Sequence, residues 1–168
     1  KGGYINTGVW SDKAMKAAQF FGETYEIASS KADHFTYIPK KRDFVLQPDT
    51  DYVYMTSNNT IHGTEWQIFP TFDIPVICDM SSDFLSRPVD VQQFDLIYAG
   101  AQKNVGPAGV VIAIIKDEFL QTANDNLPLM LQYKTFVEHD STYNTPPVFN
   151  IYFVNKVAHW LDDHGGLE

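Results

Sequence analysis

The chain has 168 residues, 44% of them apolar, with a single cysteine and a net charge of −9. That length suits one domain with a substantial core, and the composition is that of a globular protein, not a disordered one. The longest clean apolar run, residues 110–115, is far short of a membrane span, the acidic balance opposes binding to a phosphate backbone, and the lone Cys78 excludes an internal disulfide. Neither a nucleic acid nor a membrane is therefore expected as a partner, and a reducing compartment is.

The chain opens on Lys1-Gly2-Gly3 and enters a strand-like segment at residues 4–7, with no signal peptide in view. Ser11 is a plausible N-cap for a helix over residues 12–22, whose apolar face would use Ala14, Ala17, Ala18 and Phe21. Residues 24–29 read as a strand. Residues 30–49 are polar and punctuated by prolines, which predicts loop with at most one short strand. Residues 51–57 make a stronger strand, ending at the turn-forming pair Asn58-Asn59. Short buried strands are expected at 75–79 and 96–99, and the run 110–115 should return beside them after the Gly106-to-Gly109 turn. The last element, a helix over about 148–164, is apolar at Phe149, Ile151, Tyr152, Val154, Val157, Ala158 and Leu161, and is stopped by Gly165.

Short apolar strands alternating with helices predict an α/β fold, a mainly parallel sheet with helices on both faces. Functional groups of such sheets gather beyond the carboxyl ends of the strands. Asn58-Asn59-Thr60, Asp79 and Lys103 all follow predicted strands in this way. Lys103 stands between two apolar runs, after the small residues Ala99, Gly100 and Ala101. A lysine forced among apolar strands is costly to desolvate and becomes a candidate amine nucleophile. Such a lysine can carry a carbonyl cofactor. In pyridoxal phosphate enzymes a carboxylate then keeps the pyridine nitrogen protonated, and Asp79 could supply it. The plainer reading makes Asp79 a cap for a following helix, with Ser81, Ser82 and Asp83 as rivals.

Four strings occur in order: Asn58-Asn-Thr-Ile61, Cys78-Asp-Met-Ser-Ser-Asp-Phe-Leu-Ser-Arg-Pro88, Tyr98-Ala-Gly-Ala-Gln-Lys-Asn-Val-Gly-Pro107 and Tyr143-Asn-Thr-Pro-Pro147. Over essentially the whole chain, they resemble the phosphoserine aminotransferase family, fold-type I enzymes of the class-V aminotransferases that depend on pyridoxal 5′-phosphate. The resemblance implies amino transfer between L-glutamate and 3-phosphohydroxypyruvate, giving O-phospho-L-serine and 2-oxoglutarate in serine biosynthesis, with a further role in pyridoxine synthesis in many bacterial members. It implies a cytoplasmic enzyme.

Position by position, Lys103 matches the Schiff-base lysine, which would also shuttle a proton as general acid and base. Asp79 matches the partner of the pyridine nitrogen, Thr60 the hydroxyl that meets the phenolic oxygen, Trp10 the aromatic stacked on the cofactor ring, and Gln102 a ligand of the cofactor phosphate. Asn144 and Thr145 match residues that reach the phosphate of the neighbouring subunit's cofactor, so the resemblance implies a homodimer with shared active sites. Read locally, Trp10 could be a hydrophobic staple ahead of Ser11, Thr60 a turn residue bonding its own backbone, and Thr145-Pro146 a capped helix start.

Other residues receive structural readings. The five histidines lack metal-ligand spacing, so no metal is expected. Cys78 should face away from Asp79 as packing. Arg87 reads as one half of an ion pair near Asp90, and Trp66, Trp160 and most phenylalanines as core. Lys40-Lys41-Arg42 reads as a solvated loop. Because the family's chain is about twice as long, residues 1–168 are read as the central part of the cofactor-binding domain, lacking an N-terminal segment and a C-terminal small domain. Such a piece, taken alone, is expected to bind the cofactor weakly or not at all and not to complete transamination. Two alternatives stay open: another class-V fold-type I enzyme, such as a desulfurase or an alanine–glyoxylate type aminotransferase, and a non-catalytic α/β interaction module.

Overall fold

The computed structural model describes residues 1–167; Glu168 lies outside the described residues. The chain runs β1 (Gly2–Asn6), α1 (Val9–Ala18), β2 (Thr24–Ser29), β3 (Tyr52–Thr56), β4 (Asn58–Asn59), β5 (Thr64–Glu65), β6 (Val76–Asp79), β7 (Leu96–Gly100), β8 (Val111–Ile115), α2 (Asp117–Gln121), α3 (Tyr133–Glu138) and α4 (Val148–Asp163). Short 3-10 turns lie at Lys31–Asp33, Lys41–Asp43, Val91–Gln93 and Leu129–Leu131.

Six strands form one sheet in the order β2-β1-β3-β6-β7-β8. All neighbours are parallel except β7 and β8. The ten residues between those two make a turn too short for a parallel crossover, so β8 comes back antiparallel. The fold is therefore the mainly parallel α/β layer that the apolar runs predict.

Period-two alternation gives the sheet two different faces. One carries Ile5, Val53, Met55, Val76, Cys78, Ile97 and Ala99, all buried in a cluster with Ile27, Trp66 and Phe94. Phe44, Phe69, Phe72 and Val89 close over that cluster from the loops before β3, before β6 and before β7. Cys78 thus faces the core, away from Asp79, and burial pushes its thiol pKa up. The other face carries Tyr4, Asn6, Tyr54, Thr56, Asp79 and Tyr98. Helix α1 packs along β1, β2 and β3 and joins this face through a bond from Ser11 Oγ to Asn6 Oδ1 (3.0 Å). Farther along, a groove of about 660 Å³ separates Tyr52, Ile77 and Leu96 from Phe119, Leu127 and Tyr133.

Several local expectations change. Helix α1 starts at Val9 and ends at Ala18, so Ser11 lies inside its first turn, and the N-cap is Gly8. The Ser11 hydroxyl instead accepts from the backbone N–H groups of Thr7 and Gly8, both at 3.0 Å. Trp10 is accordingly a helical residue, not a staple ahead of the helix. Ala14 and Ala18 are half-buried, but Ala17 faces solvent within the helix, and Phe21, beyond its end at Ala18, is exposed as well. Asn58-Asn59 is strand β4, paired antiparallel with β5, and the turn falls later at residues 60–63, with Gly63 at φ 69°. Residues 30–49 hold two 3-10 turns and no strand. Helix α4 begins at Val148 with Pro147 at the N-cap position, so Thr145 caps nothing. Trp66 is core, as expected, whereas Trp160, Phe149 and Phe153 are exposed on α4.

Met55 is fully buried at the middle of the core face. Met55→Ala should lower unfolding free energy by about 2–5 kcal/mol, whereas Phe21→Ala should change it by less than about 0.5 kcal/mol. Urea unfolding of the two variants checks the contrast.

Candidate functional site

Strands β3, β6 and β7 end at the same edge of the sheet, and their following residues build one cleft of about 180 Å³. Its lining is Trp10, Thr56, Asn58, Asp79, Ser81, Ser82, Gln102 and Lys103. Four of the residues singled out in the sequence, Trp10, Asp79, Gln102 and Lys103, are therefore brought together. Thr60 joins them through Lys103, whose Nζ donates to Thr60 Oγ1 at 2.5 Å.

Lys103 is not desolvated. It stands three residues past the end of β7, in an exposed loop, so burial among apolar strands is not what marks it out. What holds it is contact: the Thr60 hydroxyl on one side and the Trp10 ring on another, with Nζ 5.5 Å from the ring centroid. A cation over an aromatic face at an exposed site is worth about 0.5–1 kcal/mol. Lys13 lies over the same ring at 4.7 Å. Thr60 thus spends its hydroxyl on Lys103, not on its own turn.

Asp79 ends β6 half-buried. Its Oδ1 accepts from the Ser81 N–H (2.9 Å) and its Oδ2 from the Tyr98 hydroxyl (3.3 Å). No helix follows, so the reading of Asp79, Ser81, Ser82 or Asp83 as a helix cap falls away. Behind Asp79, Tyr98 meets Tyr54 at 2.8 Å between hydroxyls. Burial raises the pKa of both phenols well above the usual tyrosine range, and the charge of Asp79 adds to it.

The donor set suits a flat, polar, anionic cofactor such as pyridoxal 5′-phosphate. It offers an aromatic face, an amine, a carboxylate and an amide around one small cleft. The Thr56 hydroxyl, buried beside Asp79 on the neighbouring strand, makes no hydrogen bond within the chain. Gly100 keeps the strand end bare: a Cβ there would stand 2.6 Å from Oε1 of Gln102. Asn144 and Thr145 lie elsewhere. Both are exposed, and Asn144 borders a separate groove of about 380 Å³ with Val111, Tyr133 and Pro146.

Sequence reasoning passed over Thr56 and Tyr98 as site residues. Period two was the available signal, since Tyr52, Tyr54 and Thr56 share a face, as do Leu96 and Tyr98. Arg87 is structural, but with partners other than Asp90. Its Nε is 3.4 Å from Glu65, its NH2 donates to the Trp66 carbonyl at 2.5 Å, and Asp83 stands 4.0 Å away. Asp90 instead accepts from the Gln92 N–H at 3.1 Å. Asp83 also accepts from the Ser57 hydroxyl, which ties the β3–β4 junction to the segment after β6. Among the described residues no cluster of three or more His, Cys, Asp or Glu side chains could hold a metal, and no helix is long and apolar enough to cross a membrane.

Two outcomes follow from this packing. Ser11→Ala strands two buried N–H groups, so stability should fall by about 1–3 kcal/mol, and Trp10 should loosen, which its fluorescence and urea unfolding together report. Burial raises the Asp83 carboxyl pKa, against the opposing pull of Ser57 and Arg87. The fold then holds that proton more tightly than the unfolded chain does. The resulting stability is full below the ordinary carboxylate value, roughly 3.9, and is lost as pH rises through the folded value. Asp83→Asn should remove this decline, measured as urea midpoints across mildly acidic pH.

Comparison with known proteins gives the chain's family. The phosphoserine aminotransferase of Desulfosudis oleivorans is 53% identical over 168 residues, covering 98% of this chain and 46% of the relative. That of Bacillus subtilis is 50% identical over 165 residues, with the same two coverages. Among solved structures, phosphoserine aminotransferase from Bacillus circulans subsp. alkalophilus superposes with a TM-score of 0.94 at 46% identity, covering 98% of this chain and 46% of that one. The pyridoxal phosphate-bound enzyme of Trichomonas vaginalis gives 0.91 at 38% identity, covering 99% and 51%. The chain thus spans about half the length of the relatives it matches. The family model of class-V aminotransferases matches residues 4–168, and the chain belongs to that family.

Proposed function

We propose that this chain forms the cofactor-binding part of a phosphoserine aminotransferase, which moves an amino group between L-glutamate and 3-phosphohydroxypyruvate with pyridoxal 5′-phosphate as cofactor. The observation that carries the reading is the convergence of Lys103, Thr60, Trp10 and Asp79 on one cleft at the carboxyl edge of a parallel sheet. The structural relatives described as phosphoserine aminotransferases, one with pyridoxal phosphate bound and one examined for its Schiff base, support it.

When bound, the cofactor supplies an electron sink for the pair released at the substrate's α-carbon. The residues would divide the work around it. Asp79 would hold a proton at the pyridine nitrogen, Thr60 would donate to the phenolic oxygen, Trp10 would cover the ring face, and Gln102 would donate to the phosphate. The Lys103 amine would take and return the proton at the α-carbon, a role worth about 10²–10⁴ in rate. Its position in an exposed loop lets the amine swing, because only the Thr60 bond and the Trp10 face restrain it. Asn144 and Thr145, exposed and outside the cleft, are free to serve a second subunit's phosphate, so a homodimer with shared sites belongs to the same proposal. The cytoplasm is the compartment that fits such an enzyme.

Borohydride reduction of the full chain with pyridoxal 5′-phosphate, followed by intact mass and peptide mapping, should place one cofactor on Lys103. Lys103→Ala should abolish the adduct and, in the complete enzyme of which these residues would form the cofactor-binding part, reduce turnover of glutamate with 3-phosphohydroxypyruvate by about 10²-fold or more. Trapping at another lysine, or none at all, would contradict the reading.

A further inference from the structure

Among the described residues the carboxylate of Asp79 has no salt-bridge partner. Lys103, the cation of the cleft, hydrogen-bonds to Thr60. Both hydrogen bonds to Asp79 come from neutral donors: the Ser81 N–H at 2.9 Å to Oδ1, and the Tyr98 hydroxyl at 3.3 Å to Oδ2. Asp79 and Tyr98 are register partners on adjacent strands, so alternation puts them on one face with no adjustable loop between them.

The proton count fixes a direction. A phenol has one proton, and Tyr98 donates its own to Asp79. In the 2.8 Å contact between Tyr98 and Tyr54, the donor must then be Tyr54. The chain reads Tyr54 to Tyr98 to Asp79, each hydroxyl sharpening the next as a donor. Tyr54 is buried, with its ring 4.8 Å from that of Tyr4, so the far end of the chain is anchored in the sheet. Tyr4 of β1 and Tyr133 of α3 are the other titratable groups near Tyr98. Burial raises the pKa of both phenols well above the usual tyrosine range, so both hydroxyls keep their protons near neutral pH.

We propose that Tyr98, backed by Tyr54, is a positioning residue for Asp79: the pair of neutral donors, Tyr98 and Ser81, fixes the plane of the carboxylate while leaving it unpaired for a cationic ring nitrogen in the cleft. The inference rests on the proposed cofactor reading for its functional consequence. The Tyr98–Asp79 contact itself does not depend on that reading.

The test is a double-mutant cycle on pyridoxal 5′-phosphate affinity in the full chain, with Tyr98→Phe and Asp79→Asn. A hydrogen bond to a charged group is lost in Tyr98→Phe while the ring stays, so the dissociation constant should rise about tenfold. In the Asp79→Asn background the same change should cost less than about twofold, because its target is already gone. Equal losses in both backgrounds, or no loss in the first, would overturn the proposal. Tyr54→Phe repeats the cycle if Tyr98→Phe does not fold, with a smaller loss that also vanishes beside Asp79→Asn. A second readout needs no cofactor. In protein carrying Cζ-labelled tyrosine, the carbon signal assigned to Tyr98 should move on Asp79→Asn, and an unmoved signal refutes the contact. If the unmodified chain binds no pyridoxal 5′-phosphate, the proposed function falls, and this signal still decides the positioning role.

Discussion

The register of three parallel strands is the constraint on which the rest depends. Thr56 of β3 stands opposite Asp79 of β6, and Asp79 opposite Tyr98 of β7. Because side chains alternate with period two, a slip of one residue in either pairing would turn Asp79 into the hydrophobic core and Cys78 out to the cleft. The apolar face forbids that slip. Val53, Met55, Val76, Cys78, Ile97 and Ala99 are buried together, and at about 25 cal/mol per Å² of apolar surface their misplacement would be far costlier than any single polar contact could recover. The core thereby fixes the chemistry at the sheet's edge.

From that edge the site assembles through short connections. Two residues beyond Asp79, the Ser81 N–H returns to the carboxylate. Three beyond β7, Lys103 reaches across to Thr60, which is held by the small hairpin of β4 and β5. Trp10 comes from the first turn of α1, and that turn is fastened to β1 by the Ser11 hydroxyl through Asn6, Thr7 and Gly8. Rigid strands thus hold the acid, while the amine sits on a loop. This division suits a group that must stay in place and another that must move.

Much of this was legible in the sequence. Apolar runs located the sheet strands because a strand covered on both faces needs little polar alternation. The placing of Asp79 and Lys103 just past strands followed from the same runs. The reason for suspecting Lys103 was mistaken, however. Proximity to apolar runs in sequence does not bury a side chain when two residues of loop, Ala101 and Gln102, separate it from the strand. The α2 and α3 helices were missed because five- and six-residue helices show too little periodicity to detect. Ser11 was misread because a buried hydroxyl in the first turn and a true N-cap look alike in sequence. Arg87 was paired with the wrong acid because its nearer carboxylate, Glu65, reaches it only through the β4–β5 hairpin. The Tyr54–Tyr98 contact joins strands separated by β6, which no local pattern reports.

The central claim is that this edge of the sheet, and no other hollow of the molecule, receives pyridoxal 5′-phosphate. A crystal structure of the full chain grown with that cofactor tests it most directly. The account predicts continuous density from the Lys103 side chain into the cleft lined by Trp10 and Asp79. Density in the groove beside Tyr133 and Asn144, or an empty cleft at saturating cofactor, would contradict it.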